Sequence, residues 1–318
     1  MIPLPSPFPV PIPILFLKKR FASGSGHRDN RAGFAPRNPL CYTGSTNSRE
    51  QGEGNMDLGL KDRVALVAAS SRGLGKACAL ELAREGARVI ICARDAGQLA
   101  DAAAEIASAT GADVFPVQAD LTGSAQIDHL VAETLARFGR IDVLVTNNGG
   151  PPAGFFDDFD DEAWLAAHQL TLLSAVRLIR AVLPSMRRRR WGRIVNITSV
   201  SVKQPIDNLL LSNVYRPGVV GLAKTLSAQL AADGITVNNV APGYTRTDRV
   251  LDLARARAAD GDRTIEDILA DTVESVPMQR MGEPRELAAL VAFLASERAG
   301  YITGATIQVD GGYVRSLL

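Results

Sequence analysis

Residues 64–75 read VALVAASSRGLG, an apolar run followed by a short turn that contains two glycines. The run is short and rich in Val and Ala, as expected of a strand buried on both faces. The residues beyond Gly75 have helical periodicity, so the segment predicts a strand–turn–helix unit. Gly73 and Gly75 would let a pyrophosphate approach the backbone N–H groups at the helix N-terminus. A tight turn without a ligand is the alternative, and this motif alone does not separate the two.

The same alternation of short apolar runs and Ala-rich helical stretches continues to the C-terminus. The predicted strands are residues 64–68, 88–93, 113–118, 142–146, 193–198, 236–240 and 306–309. The predicted helices are residues 75–85, 96–109, 124–138, 161–186, 209–232 and 284–295, with a further polar helical segment between 247 and 284. Because strands alternate with crossover helices, we predict an α/β fold. It is a single doubly wound Rossmann-type parallel sheet of about seven strands with helices on both faces.

Residues 1–55 do not share this pattern. Eight of the 17 prolines lie there, and proline at this density argues against a membrane-spanning helix. The basic residues 18–20 follow the apolar stretch, whereas a secretory signal carries its charges before it. We predict a disordered extension; an organelle transit peptide and a segment added by the choice of start site are the alternatives. The folded domain is predicted to be residues 56–318.

Composition excludes several classes of partner. The chain has 318 residues, 46% of them hydrophobic, and a formal net charge of +1, so no global field favours nucleic acid or an anionic membrane surface. The arginines of residues 187–193 lie at the end of a predicted helix, where solvated cations complement the dipole. We therefore predict no nucleic-acid or membrane partner. Cys41, Cys78 and Cys92 have no metal-ligand spacing, so we predict no metal site and a reducing, cytoplasmic location.

Four later segments fall at the carboxyl ends of predicted strands, where open parallel sheets bind ligands. They are Asp120-Leu121, Asn147-Asn148-Gly149-Gly150, Asn196-Ile197-Thr198-Ser199 and Pro242-Gly243-Tyr244-Thr245-Arg246-Thr247. With the glycine turn and residues 212–224, and in this order, they resemble the short-chain dehydrogenase/reductase family, in its 3-oxoacyl-(acyl-carrier-protein)-reductase-like branch. The resemblance covers about residues 56–318. Family members usually begin as the chain does at Met56, which favours the view that residues 1–55 come from the choice of start site.

The resemblance implies a nicotinamide dinucleotide cofactor. The cofactor-binding residues that it implies are Ser70, Ser71, Arg72, Gly73, Leu74, Gly75, Arg94, Asp120, Leu121, Asn148, Gly149, Arg216, Pro242, Gly243 and Thr247. One departure concerns the turn itself, because Ala68-Ala69 stands where the family has Thr-Gly. We expect the Cβ of Ala69 to force that part of the turn to shift away from the glycine conformation.

The second predicted strand indicates which nicotinamide cofactor is used. NAD enzymes generally place an acidic residue at its end to accept hydrogen bonds from the ribose 2′-OH. Here the strand ends at Arg94, and Arg72 lies in the glycine turn, so two guanidinium groups could bind a 2′-phosphate. Asp95 is the opposing signal, although it could instead cap the following helix. We predict NADP, with NAD as the less favoured cofactor.

The catalytic residues are the least conventional part of the sequence. The resemblance places the family's Asn, Ser, Tyr and Lys at Thr171, Ser199, Ser212 and Arg216, so only the serine is retained. In the family the tyrosine donates a proton to the carbonyl oxygen and the lysine lowers its pKa. A serine hydroxyl is a far weaker acid, and arginine essentially never releases a proton. Ser199, Ser212 and Arg216 are therefore the candidate catalytic residues of an altered site.

Tyr215 is a further catalytic candidate, three residues after Ser212 and so on a neighbouring part of the same helix. If the helix begins near Pro217, a backbone shift would bring its phenol inward. Packing of Tyr215 against the sheet or an adjacent subunit is the alternative, and we favour it.

Two functions follow from these patterns. The first is an NADP-dependent oxidoreductase that acts on a small-molecule carbonyl or alcohol. The second is a catalytically weak or inactive nucleotide-binding relative that serves as a sensor or partner subunit. We expect a homotetramer or homodimer that pairs through helices 161–186 and 209–232. Between Thr247 and Pro284, where the family has its substrate lid, Arg246, Arg249, Arg255 and Arg257 could face a carboxylate, a phosphate or water.

Overall fold

The computed structural model describes residues 56–259 and 263–317, and the predicted extension of residues 1–55 lies outside them. Seven parallel strands form one sheet in the order β3-β2-β1-β4-β5-β6-β7, which confirms the predicted doubly wound sheet. The strands are β1 (Val64–Val67), β2 (Arg88–Ala93), β3 (Val114–Gln118), β4 (Val143–Thr146), β5 (Gly192–Ile197), β6 (Ile235–Pro242) and β7 (Thr306–Val309).

Helices cover both faces of the sheet. They are α1 (Gly73–Arg84), α2 (Ala96–Thr110), α3 (Ser124–Phe138), α4 (Asp161–His168), α5 (Ser174–Arg189), α6 (Leu210–Leu230), α7 (Asp248–Ala259), α8 (Ile265–Glu274) and α9 (Pro284–Ala295). Ala65 and Val67 of β1 pack with α1, α2 and α9 on one face. Val64 and Leu66 pack with α3, α5 and α6 on the other. Successive strand residues point to opposite faces, so a strand between two helical layers is apolar throughout.

The order of the strands in the sheet determines where a ligand can bind. The chain moves outward in one direction from β1 to β3, then returns to the other side of β1 with β4. The turns after β1 and β4 therefore separate at the carboxyl edge of the sheet and leave a crevice between them. Ligands bind at such a reversal point in open α/β sheets. The turns after β1, β3, β4, β5 and β6 carry the motifs singled out from the sequence.

The predicted helix of residues 161–186 is interrupted. A π-helical turn, Gln169–Leu173, separates α4 from α5. Taken together, Asp161–Arg189 is long and apolar enough to cross a membrane by length and composition alone. The apolar side chains of α5, such as Leu178 and Val182, are buried against the sheet. One such stretch is weak evidence of a membrane span, because helices that pack in a protein core pass the same test.

The start of α6 differs from one expectation. The helix begins at Leu210, so Pro217 lies inside it and does not mark its first turn. Tyr215 thus belongs to regular helix, and the backbone shift considered for it is absent. Proline within a helix removes one hydrogen bond and crowds the carbonyl four residues earlier, a local cost that the packing of α6 onto the sheet offsets.

Candidate active site

In the turn after β1, Ala69 adopts a backbone conformation typical of glycine. The residue has a φ of +47°, in the left-handed region that favours glycine, so the expected shift of the turn was wrong. The reason lies in its neighbours, because Ala68 N–H donates to the Val145 carbonyl and Ser70 N–H to the Cys92 carbonyl, both at 2.9 Å. With the backbone held on both sides, Ala69 adopts a strained conformation that costs about 1–2 kcal/mol.

The two glycines of this turn are required for different reasons, Gly75 by the lack of space for a Cβ and Gly73 by its backbone conformation. A Cβ at Gly75 would lie 2.3 Å from the Ala69 carbonyl oxygen, to which the Asn147 amide also donates at 3.1 Å. Gly73 has a φ of +58°. Within the described residues, the side chain of the N-cap residue Arg72 forms no capping hydrogen bond with α1, which leaves N–H groups of the first turn for a ligand. This uncapped, side-chain-poor helix start fits the pyrophosphate of a dinucleotide.

Other predicted cofactor residues have structural partners of their own. Ser70 is fully buried; its hydroxyl donates to the Val67 carbonyl at 2.7 Å and accepts from Cys92 N–H at 3.1 Å, which ties β1 to β2. One oxygen of Asp120 accepts from the N–H and the hydroxyl of Thr122, at 2.9 and 2.8 Å, and closes the turn after β3. Leu121 beside it is buried in the core, while Ser71 and Leu74 are half-buried in the glycine turn.

The turn after β6 meets the turn after β1. A Cβ at Gly73 would lie 3.8 Å from the Thr247 methyl group, so the structure brings these two predicted cofactor residues together. Gly243 follows Pro242, the last residue of β6, and a Cβ there would lie 2.7 Å from the Cβ of Asp310. Gly243 is therefore needed for close packing of this turn onto the C-terminal loop.

Arg72 and Arg94 both extend into solvent. Arg72 is 65% exposed and lies 3.7 Å from a carboxylate oxygen of Asp248. Arg94 is exposed, and within residues 56–259 and 263–317 no carboxylate forms an ion pair with it. Asp95, the opposing signal in the sequence, accepts from Gln98 N–H at 2.9 Å and caps α2. The carboxylate of Asp95 is thus used to cap α2, and the group exposed to solvent after β2 is the guanidinium of Arg94.

Arg216 occupies the centre of the site. Its Nη1 donates to the carbonyl oxygens of Ile197 and Thr198, at 3.3 and 2.8 Å, at the end of β5. Its Nε donates to the Ser212 hydroxyl at 3.1 Å, and its Nη2 donates to Asn148 Oδ1 at 3.4 Å. Asn148 also accepts from Gly150 N–H at 3.1 Å. The guanidinium therefore joins α6 to the ends of β4 and β5, while Gly149 beside it is exposed.

The three serines of the site form two contacts. Ser212 Oγ lies 3.4 Å from Ser201 Oγ, and both side chains are buried. Ser199 Oγ accepts from Ser201 N–H at 3.1 Å and begins a short 3₁₀ turn. Ser201 was missed by sequence reasoning. Its position two residues after Ser199, in a turn that places it beside α6, was the only available signal.

Tyr215 does not join this group. Its hydroxyl donates to the Trp164 carbonyl at 3.0 Å, and its ring packs against Trp164 and His168 with centroid separations of 5.9 and 5.5 Å. The phenol is thus directed at α4, whereas Ser212 faces Arg216. Tyr215 is thus a packing residue, but it packs against α4, which is neither of the two partners expected from the sequence, the sheet and an adjacent subunit.

Thr171 lies in the π-helical turn, next to Arg216 across a small polar cavity of about 10 Å³. Its hydroxyl is buried, and it has no hydrogen-bond partner among the described residues. Thr146, Asn148 and Thr198 also line this cavity. The π turn thus places the side chain of residue 171 beside the catalytic candidates of α6.

The charge of Arg216 is poorly compensated. Burial and, to a smaller extent, the neighbouring charge of Arg249 together lower the pKa of its guanidinium to about 10. Arg249 is exposed overall, but partial desolvation of its guanidinium lowers its pKa, and its Nη2 donates to the Pro151 carbonyl at 2.6 Å. Two cations thus lie beside the turn after β4.

A larger cavity of about 640 Å³ lies between α7, α8 and the turn after β6. Val250, Leu251, Leu269 and Val273 give it an apolar lining, and Thr247 joins it to the predicted cofactor site. Its volume is that of a small-molecule pocket, and it lies in the segment expected to cover the substrate.

The comparisons with known proteins agree with this geometry. A protein-family model described as enoyl-(acyl carrier protein) reductase matches residues 68–314. A 3-oxoacyl-(acyl-carrier-protein) reductase from Synechocystis sp. is 37% identical over 256 residues, which span 80% of this chain and 98% of that relative. The enzyme of the same name from Staphylococcus epidermidis is 34% identical over 251 residues, or 79% of this chain and 98% of the relative.

Solved structures of NADPH-bound reductases are also similar to this chain. The L-sorbose reductase from Gluconobacter frateurii, in complex with NADPH and L-sorbose, superposes with a TM-score of 0.79 at 33% identity, over 82% of this chain and all (100%) of that one. A variant of actinorhodin polyketide ketoreductase with NADPH has a TM-score of 0.77 at 33% identity, over 80% of this chain and 98% of that one. From its sheet, its motifs and these relatives, the chain belongs to the short-chain dehydrogenase/reductase family of oxidoreductases.

Proposed function

We propose that the protein is an NADPH-dependent reductase of small carbonyl compounds, in which Ser212 and Arg216 replace a tyrosine–lysine pair. The observation that carries the proposal is the Arg216 Nε–H donation to Ser212 Oγ at 3.1 Å, made by a guanidinium that also contacts the carboxyl end of β5. Arg216 thus holds the Ser212 hydroxyl close to the carboxyl edge of the sheet, the edge at which open α/β sheets bind their ligands. Named relatives that reduce carbonyl groups, including the L-sorbose and 3-oxoacyl reductases, support the reaction class.

NADPH is the proposed cofactor, and when bound it supplies the hydride. The L-sorbose reductase and the actinorhodin ketoreductase variant were both solved with NADPH. In this chain Arg72 and Arg94 offer two exposed guanidinium groups, while Asp95 is used to cap α2. Guanidinium groups bind phosphate with charge-assisted hydrogen bonds, so the 2′-phosphate of NADPH gains a contact that NADH cannot form.

Ser212 is proposed to bind the carbonyl oxygen. Because its Oγ accepts from Arg216, its own hydroxyl proton can be donated to the substrate. Negative charge develops on that oxygen as the carbonyl carbon is reduced, and the Arg216 guanidinium behind Ser212 stabilises it electrostatically. Serine is too weak an acid to release a proton by itself near neutral pH. The substrate oxygen therefore takes the hydroxyl proton of Ser212, and water supplies the proton that Ser212 loses.

Ser199 is proposed to orient the same oxygen. Its Oγ is an acceptor for Ser201 N–H at 3.1 Å, which fixes the side chain and leaves the hydroxyl proton for a ligand. Ser201, at 3.4 Å from Ser212, is proposed as a positioning residue for Ser212. Tyr215 has no part in this mechanism, because its hydroxyl is committed to α4.

Binding of the nucleotide without turnover is the second candidate function. It is favoured by one observation, namely that the only phenol near Ser212 on α6 donates to the Trp164 carbonyl. Under this reading the glycine turn and Arg94 bind the nucleotide, and the protein acts as a sensor or partner subunit.

The two functions are separated by one experiment. The purified protein is mixed with NADPH and a panel of small ketones, oxo acids and oxo esters, and the loss of nicotinamide absorbance is followed. Reduction that disappears in Ser212→Ala, while NADPH still binds, supports the reductase. Normal NADPH binding with no reduction of any compound in wild type or in Ser212→Ala favours the second function.

We also propose that the protein is a homodimer or homotetramer that associates through α4 and α6. Leu165 on α4 is 65% exposed and Val214 on α6 is 47% exposed, and the two helices contact each other. Phe155 and Phe156, just before α4, are 64% and 72% exposed. Large apolar side chains clustered at the surface are typical of a subunit interface.

A further inference from the structure

We propose that Arg257 and Asn208 form a latch that holds α7 closed over Ser212, and that α7 opens by moving into the cavity between itself and α8. The proposal concerns access to the proposed reductase site and therefore rests on that function. It gives a role to Arg257, for which the sequence left a carboxylate, a phosphate or water as partners, and to a cavity that the proposed mechanism does not use.

Helix α7 is attached to the opposite side of the crevice at two points. Arg249 and Arg257 lie two turns apart on the same side of the helix. Arg249 Nη2 donates to the Pro151 carbonyl at 2.6 Å, in the turn after β4. Arg257 Nη2 donates to Asn208 Oδ1 at 3.1 Å, just before α6. The helix thus extends from the end of β6 across the carboxyl edge of the sheet, and two hydrogen bonds hold it there.

The attached helix lies beside the catalytic candidates. Asn208 lies four residues before Ser212, whose side chain is buried at 6% exposure. At the other attachment, a Cβ built at Gly150 would lie 3.5 Å from Arg216 Nη2 and 3.7 Å from Arg249 Nε. A substrate needs an opening to reach the Ser212 hydroxyl, and α7 is the element that the two arginines attach across this part of the site.

Asn208 joins the latch to the loop after β4. Its carbonyl accepts from Gly154 N–H at 2.6 Å, while its side-chain Oδ1 accepts from Arg257. Its φ of +54° lies in the left-handed region, which asparagine tolerates better than most residues with a side chain. One residue thus holds the loop with its backbone and α7 with its side chain, and an unusual conformation of this kind is often kept for a function.

The bond of Arg257 can be exchanged for water. Among the described residues Arg257 forms no ion pair, and its hydrogen-bonded partner is a neutral amide. Arg255 on the same helix differs, because it pairs with Asp252 at 2.9 Å. Arg257 is half-buried, so its guanidinium can be hydrated when the helix moves away, and water replaces the lost hydrogen bond. The latch is therefore reversible.

The cavity gives α7 room to move. Its volume is about 640 Å³, and its apolar lining from the two helices includes Val250, Leu251, Leu269 and Val273. Val250 and Leu251 follow Arg249 by one and two residues, so they point about 100° and 200° away from it around the helix axis. The space thus lies on a different side of α7 from its attachments. Protein interiors are close-packed, so a void beside a helix held by two hydrogen bonds allows that helix to shift.

Hydrogen exchange of the α7 amides tests the latch without turnover. The full-length protein is studied by mass spectrometry without added nucleotide. Arg257→Met and Asn208→Gly each remove one partner, and glycine still permits the positive φ. We expect the α7 amides to exchange at least about threefold faster in both variants, because the helix opens more often. Arg255→Met, which removes an exposed arginine of the same helix, is the control and should change the exchange much less.

Filling the cavity should have the opposite effect. Ala270 lines it, and Ala270→Phe places a ring in the space that α7 needs. We expect the α7 amides to exchange at least about threefold more slowly. With a compound that the wild type reduces, kcat/KM should fall at least about threefold while the Kd for NADPH is unchanged. Val273→Phe repeats the test from another position of the lining, and Ala104→Phe, exposed on α2, is the matched control.

Three results would overturn the proposal. The first is unchanged α7 exchange in both latch variants, and the second is exchange as fast as in wild type in both cavity-filling variants. The third is slower exchange with an unchanged kcat/KM, since α7 would then move without controlling access. If α7 exchange responds in both directions and no carbonyl compound is reduced, the latch is supported and the reductase function alone fails.

Discussion

Arg216 donates through Nε to the hydroxyl oxygen of Ser212, one helical turn earlier on α6, at a distance of 3.1 Å. The arrangement keeps a cation next to a hydroxyl group, but neither member is a good acid near neutral pH. A site built on this pair can therefore orient and stabilise an oxygen anion more easily than it can protonate it.

Replacing the pair should test that limit. We expect Ser212→Tyr with Arg216→Lys to raise kcat for carbonyl reduction by at least about tenfold, since a positioned general acid contributes roughly 100- to 10,000-fold. Initial rates of NADPH oxidation measure the effect. Arg216→Lys alone is the control and should give no such gain. A double variant that binds NADPH normally but remains as slow as wild type would show that the proton donor is not what limits the reaction.

We expect the preference for NADPH to depend on Arg94, at the exposed end of β2. Arg94→Asp should weaken NADPH binding by about 1.5–3 kcal/mol, the usual worth of hydrogen bonds to a charged group, and should change NADH binding much less. Fluorescence titration with both nucleotides provides the measurement. Arg88→Asp serves as a control because that exposed arginine at the other end of the strand is paired with Asp62 at 3.0 Å. If wild type has equal affinity for NADPH and NADH, the assignment of Arg94 is wrong.

Ala69 predicts a stabilising substitution. Its φ of +47° is unfavourable for any residue with a Cβ, so Ala69→Gly should raise the free energy of unfolding by about 1 kcal/mol, less the added entropy of a glycine in the unfolded chain. Urea denaturation followed by circular dichroism is sufficient. Ala68→Gly, one residue earlier at the end of β1, should destabilise the protein instead. A loss of stability in both variants would contradict the strain assigned to Ala69.

The buried charge of Arg216 predicts a dependence of stability on pH. Its pKa is about 10 in the folded protein against an ordinary 12.5, so between these values the unfolded chain binds more protons and stability rises with pH from this group. Below about pH 10 the charged form is present in both states and the burial cost is fully felt. Relative to Arg216→Met, wild type should therefore gain stability as the pH rises from about 9 to 11. Chemical denaturation of both proteins across this range gives the difference, and a constant or opposite difference would contradict it.

The exposed apolar surface predicts an interface. Leu165→Asp with Val214→Asp should reduce the mass measured by light scattering to that of one chain, 33.8 kDa, because a charge buried between subunits without a partner is strongly unfavourable. Ala104→Asp, an exposed position on α2, is the control and should leave the mass unchanged. If wild type is already a monomer at micromolar concentration, the interface is excluded.

The periodicity of the sequence predicted most of the fold, because strands between two helical layers are apolar along their whole length and the crossover helices are amphipathic. Strands β2 and β7 and helices α3 and α9 have the predicted limits. The π-helical turn was missed because it adds one residue without any change in composition. The conformation of Ala69 was missed because hydrogen bonds from Ala68 and Ser70 to distant strands determine it.

The candidate site was harder to predict for the same reason. The position of Arg216 follows from its place on α6, but its contacts with Asn148 and with the end of β5 depend on tertiary packing. Tyr215 shares a helix with Ser212, yet the packing of α4 turns it towards Trp164. Ser201 and the approach of Arg249 to Gly150 could be recognised only once the turns after β4, β5 and β6 were brought together.

The π-helical turn at residues 169–173 changes the direction in which α4 presents its side chains relative to α5. One extra residue in a helix rotates everything on its N-terminal side by about 100° relative to a regular α-helix. The side chains of α4 and α5 therefore point in different directions around a shared helix axis. Leu178 of α5 packs on the sheet, whereas on α4 Trp164 contacts Tyr215 and Leu165 is exposed. Inserting or deleting one residue there would rotate the side chains of α4 relative to those of α5 without changing the residues of either helix.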